Sequence, residues 1–241
     1  MKKYILAAVS ISIVFTACNF VAGKRVEGNG NVTSQDRSIT GFSAVHSSGS
    51  FDVYLSSGST QSVRIEADDN LHSYIETRLD GNELEIDTKD GYRLRPSKGV
   101  KIYITSADFN SVRLSGAGDI VSQNQIAGDD KIELSVSGSG NIKVDVNSPN
   151  VDAEMSGSGD INLSGESKKF EGSLSGSGNI NAMDLKTEES TIRISGSGNA
   201  DVFVSDKLNV KVTGSGDVRY KGGAQQVSSS ITGSGSVKKM E

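Results

Sequence analysis

The hexapeptide Ser156-Gly157-Ser158-Gly159-Asp160-Ile161 returns along most of this chain with small variations. Each copy reads Ser or Thr, Gly, a small residue, Gly, a short polar residue and an apolar residue. The seven copies begin at Ser115, Ser137, Ser156, Ser175, Ser195, Thr213 and Thr232, so successive copies lie 18 to 22 residues apart. A fixed period of this length is typical of a solenoid, in which each repeat is one structural unit stacked on the next.

The residues around each copy alternate between apolar and polar. The residue directly before the motif is Leu114, Val136, Met155, Leu174, Ile194, Val212 or Ile231. The residue two places earlier is also apolar in most copies, and Gly172 and Ser229 are the exceptions. This alternation predicts β-strands that are buried on one face. No helical periodicity runs through the repeats, so a helical solenoid is disfavoured.

Each repeat is therefore predicted to be a strand, a glycine corner and a second strand. A second, polar corner follows, such as Asn147-Ser148-Pro149-Asn150. Equivalent residues of successive coils would stack about 4.8 Å apart. Glycine suits the first corner because it adopts positive φ angles without a Cβ clash. The sequence predicts an all-β, single-domain parallel β-helix with about 19–20 residues per coil and its Ser-Gly-Ser-Gly corners stacked on one edge.

The chain is predicted to contain four segments. Residues 1–17 are a lipoprotein signal peptide, and residues 18–35 are the lipidated N-terminus and a tether. Residues 36–110 are irregular first coils of the β-helix, and residues 111–241 are its regular repeats. Within the irregular coils, the alternation breaks at Asp69–Ile75, which predicts a short helix that starts at an Asp or Asn cap.

The N-terminal segment has the layout of a bacterial secretory signal. Lys2 and Lys3 precede the apolar run Tyr4–Ala17, which is too short to span a bilayer comfortably. Phe15-Thr16-Ala17-Cys18 is similar to a lipobox, although Phe stands where Leu is usual. We therefore predict lipid attachment at Cys18 and a cell-envelope location. No Asp follows Cys18, which favours the outer membrane and its periplasmic side.

Composition excludes several classes of function. The formal net charge of -5 and the lack of a basic patch with interleaved aromatic residues argue against a nucleic-acid partner. Cys18 is the only cysteine, so the chain forms no internal disulfide. His46 and His72 are the only histidines, and we expect both in loops or on the surface. No Ser-His-Asp or Cys-His pattern is evident around them, so no catalytic residue and no cofactor is predicted.

Several segments together resemble a known family. They are Gly41–Val45 (GFSAV), Ser48–Leu55 (SGSFDVYL), Leu84–Ile86 (LEI) and the SGSG repeats. The chain resembles the "putative auto-transporter adhesin, head GIN domain" family over roughly residues 37–220. This is a domain of unknown function that is frequent in exported lipoproteins of Bacteroidetes. The resemblance implies a β-helical fold and an envelope location, and it brings no catalytic residues with it.

One polar column follows the glycines. It consists of Asp119, Asn141, Asp160, Asn179, Asn199 and Asp217. Calcium-binding β-rolls repeat their glycine and aspartate motif every nine residues, whereas here the motif occurs once per coil. Amides alternate with carboxylates, which lowers the negative charge available to a hard cation. The column is therefore interpreted as corner residues, and no metal site is predicted.

A second polar column is acidic. Glu133, Asp152 and Glu171 each lie four residues before a motif serine, so they point outward on three consecutive coils. Glu154 lies two residues beyond Asp152 on the same face. These four residues are the candidate binding face, for a cation or a sugar. No cluster of Arg or Lys and no aromatic platform is expected beside the acids.

Two classes of function remain. The first is a non-catalytic envelope lipoprotein, a rigid β-helical rod that binds a glycan, a surface or an envelope protein. The second is a carbohydrate-active β-helix enzyme of the polysaccharide lyase or hydrolase class. The first is favoured because the repeats carry the same short residues at equivalent corners, so that no coil is differentiated as a catalytic site. The expected partners are the membrane, through the lipid anchor, and a glycan or envelope protein; a homo-oligomer stays open.

Overall fold

The computed structural model describes residues 23–241, which form β-strands and one short 3-10 helix. The strands are β1 (Lys24–Glu27), β2 (Val32–Arg37), β3 (Ala44–Gly49), β4 (Asp52–Ser57), β5 (Ser62–Asp68), β6 (Ile75–Asp80), β7 (Glu83–Thr88), β8 (Tyr92–Arg95), β9 (Lys101–Ser106), β10 (Ser111–Gly116), β11 (Asp119–Ser122), β12 (Ile126–Ala127), β13 (Lys131–Gly138), β14 (Asn141–Asn147), β15 (Asn150–Gly157), β16 (Asp160–Gly176), β17 (Asn179–Gly196), β18 (Asn199–Gly214), β19 (Val218–Lys221), β20 (Gln226–Gly233) and β21 (Val237–Lys239). The helix, η1, spans Asp69–Tyr74.

The strands form a β-solenoid of about six turns. Sheet I contains, in pairing order, β6, β7, β3, β10, β13, β15, the second halves of β16, β17 and β18, and β20. Sheet II contains β2, β5, β9, β4, β11, β14, the first halves of β16, β17 and β18, then β19 and β21. Motif residues pair in parallel register, as Gly138 does with Gly157 and Gly157 with Gly176. The predicted parallel β-helix is confirmed.

The glycine corner is a very close contact between the backbones of successive coils. Gly157 has a φ angle of +142°, and a Cβ atom built there would lie 2.0 Å from the carbonyl oxygen of Gly138 on the preceding coil. A Cβ atom at Gly159 would lie 1.9 Å from the carbonyl oxygen of Gly140. The amide of Ser158 donates to the Gly138 carbonyl at 2.9 Å. The motif keeps two glycines because neither position has room for a side chain.

The polar column beside the glycine corner forms a ladder of side-chain hydrogen bonds. The amide of Asn141 donates to the Asp119 carboxylate at 2.8 Å, and the amide of Asn179 donates to Asp160 at 2.8 Å. The Asn141 carbonyl oxygen accepts the backbone N–H of Asp160 at 3.0 Å. Alternating amides and carboxylates therefore join neighbouring coils, because each donor faces an acceptor. This arrangement supports the interpretation of the column as corner residues.

The core consists of apolar columns on the inner faces of both sheets. Ile161, directly after the motif, is 0% exposed and pairs with Ile142 and Ile180 on the adjacent coils. The exception at Gly172 has a packing reason. A Cβ atom there would lie 2.9 Å from Cδ1 of Ile192 and 3.3 Å from the ring of Phe170, and both residues are buried. These two side chains fill the space that the inward side chain of residue 172 would otherwise occupy.

The segment before the repeats mixes parallel and antiparallel pairing. Strands β3 and β4 stack in parallel on β10 and β11, so the partial motif copy at Ser48–Val53 lies in the same column as the later copies. In contrast, β2 pairs with β5, β5 with β9, and β6 with β7 in antiparallel orientation. These antiparallel strands lie at the N-terminal end of both sheets. The predicted short helix is present as η1, but no side chain caps it with a hydrogen bond.

Part of the predicted tether is structured. β1 pairs in parallel with β8, and β2 pairs with β5, so the described residues before position 36 belong to sheets. Buried Asp68 holds the loop between β1 and β2, since its carboxylate accepts hydrogen bonds from the Gly30 amide and from the amide and hydroxyl of Ser97. The Ser97 and Gly30 hydrogen bonds lower the pKa of Asp68. The remainder of the tether, Cys18 and the predicted signal peptide lie outside the described residues.

Within residues 23–241, no helix is long and apolar enough to cross a membrane.

The last described coil differs from the others in its burial. Val227 is 44% exposed and Ile231 is 38% exposed, although they continue the inward columns of Leu208 and Val212, which are fully buried. These two side chains are exposed because no further described coil covers them.

The polar column extends back by one coil from Asp119 to Asp52, and these two carboxylates generate a stability prediction. Asp52 pairs in register with Asp119, and burial, together with the charge of Asp119, raises the pKa of Asp52. Ionised Asp52 therefore lowers the free energy of unfolding at any pH above the pKa that Asp52 has in the folded protein. This destabilisation diminishes as the pH falls through that pKa, because Asp52 then becomes protonated. Asp52→Asn removes the repulsion and offers an amide donor to Asp119. We expect it to stabilise the fold at pH 7 by about 1 kcal/mol.

Thermal or urea unfolding measured across the acidic range tests this expectation. The stabilisation by Asp52→Asn should vanish at a pH at which Asp52 of the wild type is protonated in both the folded and unfolded states. Asp90→Asn, in an exposed turn, removes the same charge and should change stability by less than about 0.5 kcal/mol. Equal effects of the two variants at pH 7 would contradict the ladder interpretation.

Candidate binding face

The outer face of sheet I carries the acidic column. Glu133 pairs in register with Asp152, and Asp152 with Glu171, so the three side chains stand on adjacent strands. Glu154 lies on β15 two residues after Asp152, on the same side of the sheet. The structure therefore brings together all four residues that were predicted from the sequence. They line one depression of about 420 Å³, whose other walls include Arg113.

Lys131 binds two of the four acids. Its Nζ lies 2.8 Å from Oε1 of Glu133 and 2.6 Å from Oδ2 of Asp152. Hydrogen bonds from Lys131 to Asp152 and Glu133 raise the pKa of the Lys131 ammonium. The lysine therefore stays charged at neutral pH, and it neutralises two carboxylates that would otherwise repel each other across the strands.

Arg193 contacts a third acid. Its Nη1 donates to Oε2 of Glu171 at 2.9 Å. With Lys131 and Arg113, this arginine places three cationic side chains on or beside the acidic column, so the expectation that the face lacks such residues is wrong. The alternation of outward and inward side chains along each strand is the sequence signal that could have placed these cations on this face. Lys131 stands two residues before Glu133, and Arg193 lies one coil beyond Glu171, two residues further along its strand.

Several charged side chains of this face form no ion pair within 4 Å in the described part of the chain, and Glu154 and Lys211 are two of them. Both are exposed. They belong to one column, because Glu154 pairs with Ser173, Ser173 with Arg193, and Arg193 with Lys211. The four residues line a second depression of about 300 Å³, which adjoins the first at Glu154. The face therefore continues from an acidic part to a basic part.

A column of hydroxyl groups borders the face at the glycine corner. Its members pair in register from coil to coil. They are Ser48, Ser115, Ser137, Ser156, Ser175, Ser195, Thr213 and Thr232. The outer surface of sheet I is consequently polar over its whole length, with charged columns beside a hydroxyl column.

A histidine lies at the N-terminal end of the same sheet. His46 is half-buried in β3, and its side chain comes within 4.8 Å of carboxylate oxygens of Glu83 and Glu85. This donor set could in principle hold a metal ion. However, Arg113 binds both oxygens of Glu83, and Arg78 binds Glu85. The arginines already neutralise both carboxylates, so the cluster is a network of ion pairs.

The two histidines, which were expected in loops or on the surface, lie in different environments. Nε2 of His46 lies 2.9 Å from Oγ of Ser115, in a strand and not in a loop. This is a Ser-His contact that the sequence pattern did not reveal, because the two residues are far apart in the chain. His72 is 8% exposed and contacts Thr33, so the expectation of a surface position is wrong. Ser115 belongs to the repeated hydroxyl column, and its contact with His46 joins two coils of the fold.

An aromatic pair lies on the other sheet. The rings of Tyr54 and Tyr103 are stacked with centroids 5.1 Å apart and planes 17° apart. The two residues are in register on β4 and β9 of sheet II. Each ring therefore faces its neighbour along the sheet, and the pair does not adjoin the acidic column of sheet I.

The profile of the family described as "putative auto-transporter adhesin, head GIN domain" matches residues 41–224. The chain belongs to this family. The family and the region are those that the sequence resemblance predicted. Its description as an adhesin head agrees with an adhesin-like, exported protein of the cell surface or envelope. Comparison with curated protein sequences gives no match.

Solved structures show the same fold. A "putative adhesin" from Bacteroides fragilis is 22% identical with a TM-score of 0.85, and the match covers 89% of this chain and all of that one. A "putative adhesin" from Parabacteroides distasonis is 25% identical with a TM-score of 0.73, over 90% of this chain and all of that one. A "putative lipid binding protein" from the same species is 25% identical with a TM-score of 0.75, over the same shares. Two of these neighbours are therefore described as adhesins and one as a lipid-binding protein.

Proposed function

We propose that this protein is a non-catalytic lipoprotein of the cell envelope, a rigid β-helical rod that binds a glycan, a surface or an envelope protein through the outer face of sheet I. The observation that carries this proposal is the convergence of Glu133, Asp152, Glu154 and Glu171 on one depression. Four carboxylates beside a hydroxyl column favour a ligand rich in hydroxyl or amine groups, because such groups donate hydrogen bonds to carboxylates.

The competing hypothesis of a carbohydrate-active enzyme finds less support. A polysaccharide lyase needs a base that accepts a proton, and Lys131 is the amine nearest to the acids. Since the carboxylates of Asp152 and Glu133 raise the pKa of Lys131, it stays protonated at neutral pH and cannot take that role. Arg193 likewise forms an ion pair with Glu171. These cations neutralise the acids and hold them in place, which suits a binding surface.

One structural neighbour is described as a "putative lipid binding protein". A lipid chain needs apolar surface, but the interior columns of this solenoid are filled with buried side chains such as Ile161 and Phe170. The outer face of sheet I is polar. We therefore propose that this chain meets lipid through a covalent anchor and not through a lipid-binding cavity.

The proposed anchor is Cys18, at the end of the predicted signal peptide, in the outer membrane with the rod facing the periplasm. One acyl chain alone gives only reversible membrane binding, so stable attachment depends on the full lipid modification of this residue. Cys18→Ser should release the protein from membranes or leave the precursor uncleaved. Fractionation of cells and mass spectrometry of the N-terminus measure both outcomes. Unchanged processing and membrane attachment would rule out lipidation at Cys18.

The binding face is tested by replacing Glu133, Asp152, Glu154 and Glu171 together with Ala. We expect retention on immobilised neutral or amine-bearing glycans, or on envelope proteins, to fall roughly tenfold, which corresponds to about 1.4 kcal/mol. The melting temperature should change little, because the side chains are exposed and exposed ion pairs contribute only about 0–1 kcal/mol each.

A matched control removes four acids elsewhere. Asp129, Asp130, Glu188 and Asp206 are exposed and lie outside the depression of the acidic column. Their replacement by Ala changes the net charge by the same amount and should leave retention unchanged. Equal losses in the two variants would indicate a general charge effect and exclude this face. Turnover of a glycan by the wild type would overturn the non-catalytic proposal.

A further inference from the structure

Six neighbouring strands of sheet I, from β13 to β20, have an outer face with two halves of opposite charge. The acidic half consists of β13, β15 and the C-terminal part of β16. It carries four acids, Glu133, Asp152, Glu154 and Glu171, and two lysines, Lys131 and Lys169. The basic half consists of the C-terminal parts of β17 and β18 and of β20, and it carries three cations, Arg193, Lys207 and Lys211, and one acid, Glu189. The two halves therefore have formal net charges of equal size and opposite sign, -2 and +2.

We propose that the partner of this face is a second copy of the same chain, bound face to face in antiparallel orientation. This inference rests on the proposed function, because it names the ligand of the proposed binding face. The argument is charge complementarity. When one rod is turned end over end, its basic half lies over the acidic half of the other, and the same contact occurs twice.

The register fixes the residues that meet. Consider a twofold axis that lies in the interface, runs parallel to the strands and passes between β16 and β17. Residues of one column then oppose residues of the same column in the other copy. Glu154 opposes Lys211 of the partner subunit, and Ser173 opposes Arg193 of the partner subunit. Neither Glu154 nor Lys211 forms an ion pair in the described part of a single chain, so both are free for this contact.

The dimensions of the face fit a specific interface. Six strands about 4.8 Å apart and eight residues of about 3.3 Å each give a surface of about 760 Å² per copy. Association would bury about 1,500 Å² in total, which lies within the range for specific complexes. The face is also polar, so association is expected to be reversible and to weaken with added salt.

The first test is a pair of charge reversals in the full chain, purified in density-matched detergent and studied by sedimentation equilibrium at low ionic strength. Glu154→Lys places two lysines opposite each other, and Lys211→Glu places two glutamates opposite each other. Each variant alone should dimerise about tenfold more weakly than the wild type. An equimolar mixture of the two should regain wild-type association, because every contact again joins a lysine to a glutamate.

The control and the second readout follow from the same geometry. Lys143→Glu, exposed on sheet II, should leave association unchanged. A zero-length carbodiimide reagent should join Glu154 to Lys211 between copies, detected by mass spectrometry in a mixture of ¹⁴N- and ¹⁵N-labelled chains. Within one chain these residues are three coils, about 14 Å, apart, which is too far for this reagent.

The outcomes separate this inference from the proposed function. A wild type that stays monomeric at high concentration and gives no cross-link overturns the dimer. The proposed function stands in that case if the four-alanine variant still loses glycan or envelope-protein retention. A dimer that is insensitive to Glu154→Lys and Lys211→Glu also overturns this arrangement. Restored association in the mixed variants, with the intermolecular cross-link, supports it.

Discussion

The close approach of backbones at the glycine corner is the constraint on which the rest of this structure depends. The Gly157 and Gly159 positions each face a carbonyl oxygen of the preceding coil at a distance that excludes a Cβ atom. Because the corners stack in register, the strands on both sides are also held in register. The inward columns then coincide from coil to coil, and a narrow core that consists mostly of Ile, Val and Leu is buried.

The same register creates the candidate binding face. Side chains that repeat every coil become columns, so three acids on consecutive coils become neighbours, and the cations beside them become ion-pair partners. The fold presents an extended polar surface, which agrees with membership of a family described as an adhesin head.

Much of the fold could be predicted from the sequence, because the motif and the alternation are local signals. Ile161 and the motif glycines lie where the pattern placed them. The four acids could be assigned to one face for the same reason. The pairing of Lys131 and Arg193 with those acids, the contact of His46 with Ser115 and the burial of His72 were missed. They depend on which strands are neighbours in the irregular segment, or on where long side chains reach, and no repeat specifies either.

The most direct test of the central claim compares two glycines by equilibrium unfolding. Gly157→Ala places a Cβ atom 2.0 Å from the carbonyl oxygen of Gly138 at a φ angle of +142°. The account predicts a loss of more than about 3 kcal/mol in the free energy of unfolding, or failure to fold. At Gly223 a Cβ atom would meet only the carbonyl oxygen of Ser205 at 3.6 Å, so Gly223→Ala should cost less than about 0.5 kcal/mol. Equal stability of the two variants would contradict the claim that close backbone stacking at the corner determines this fold.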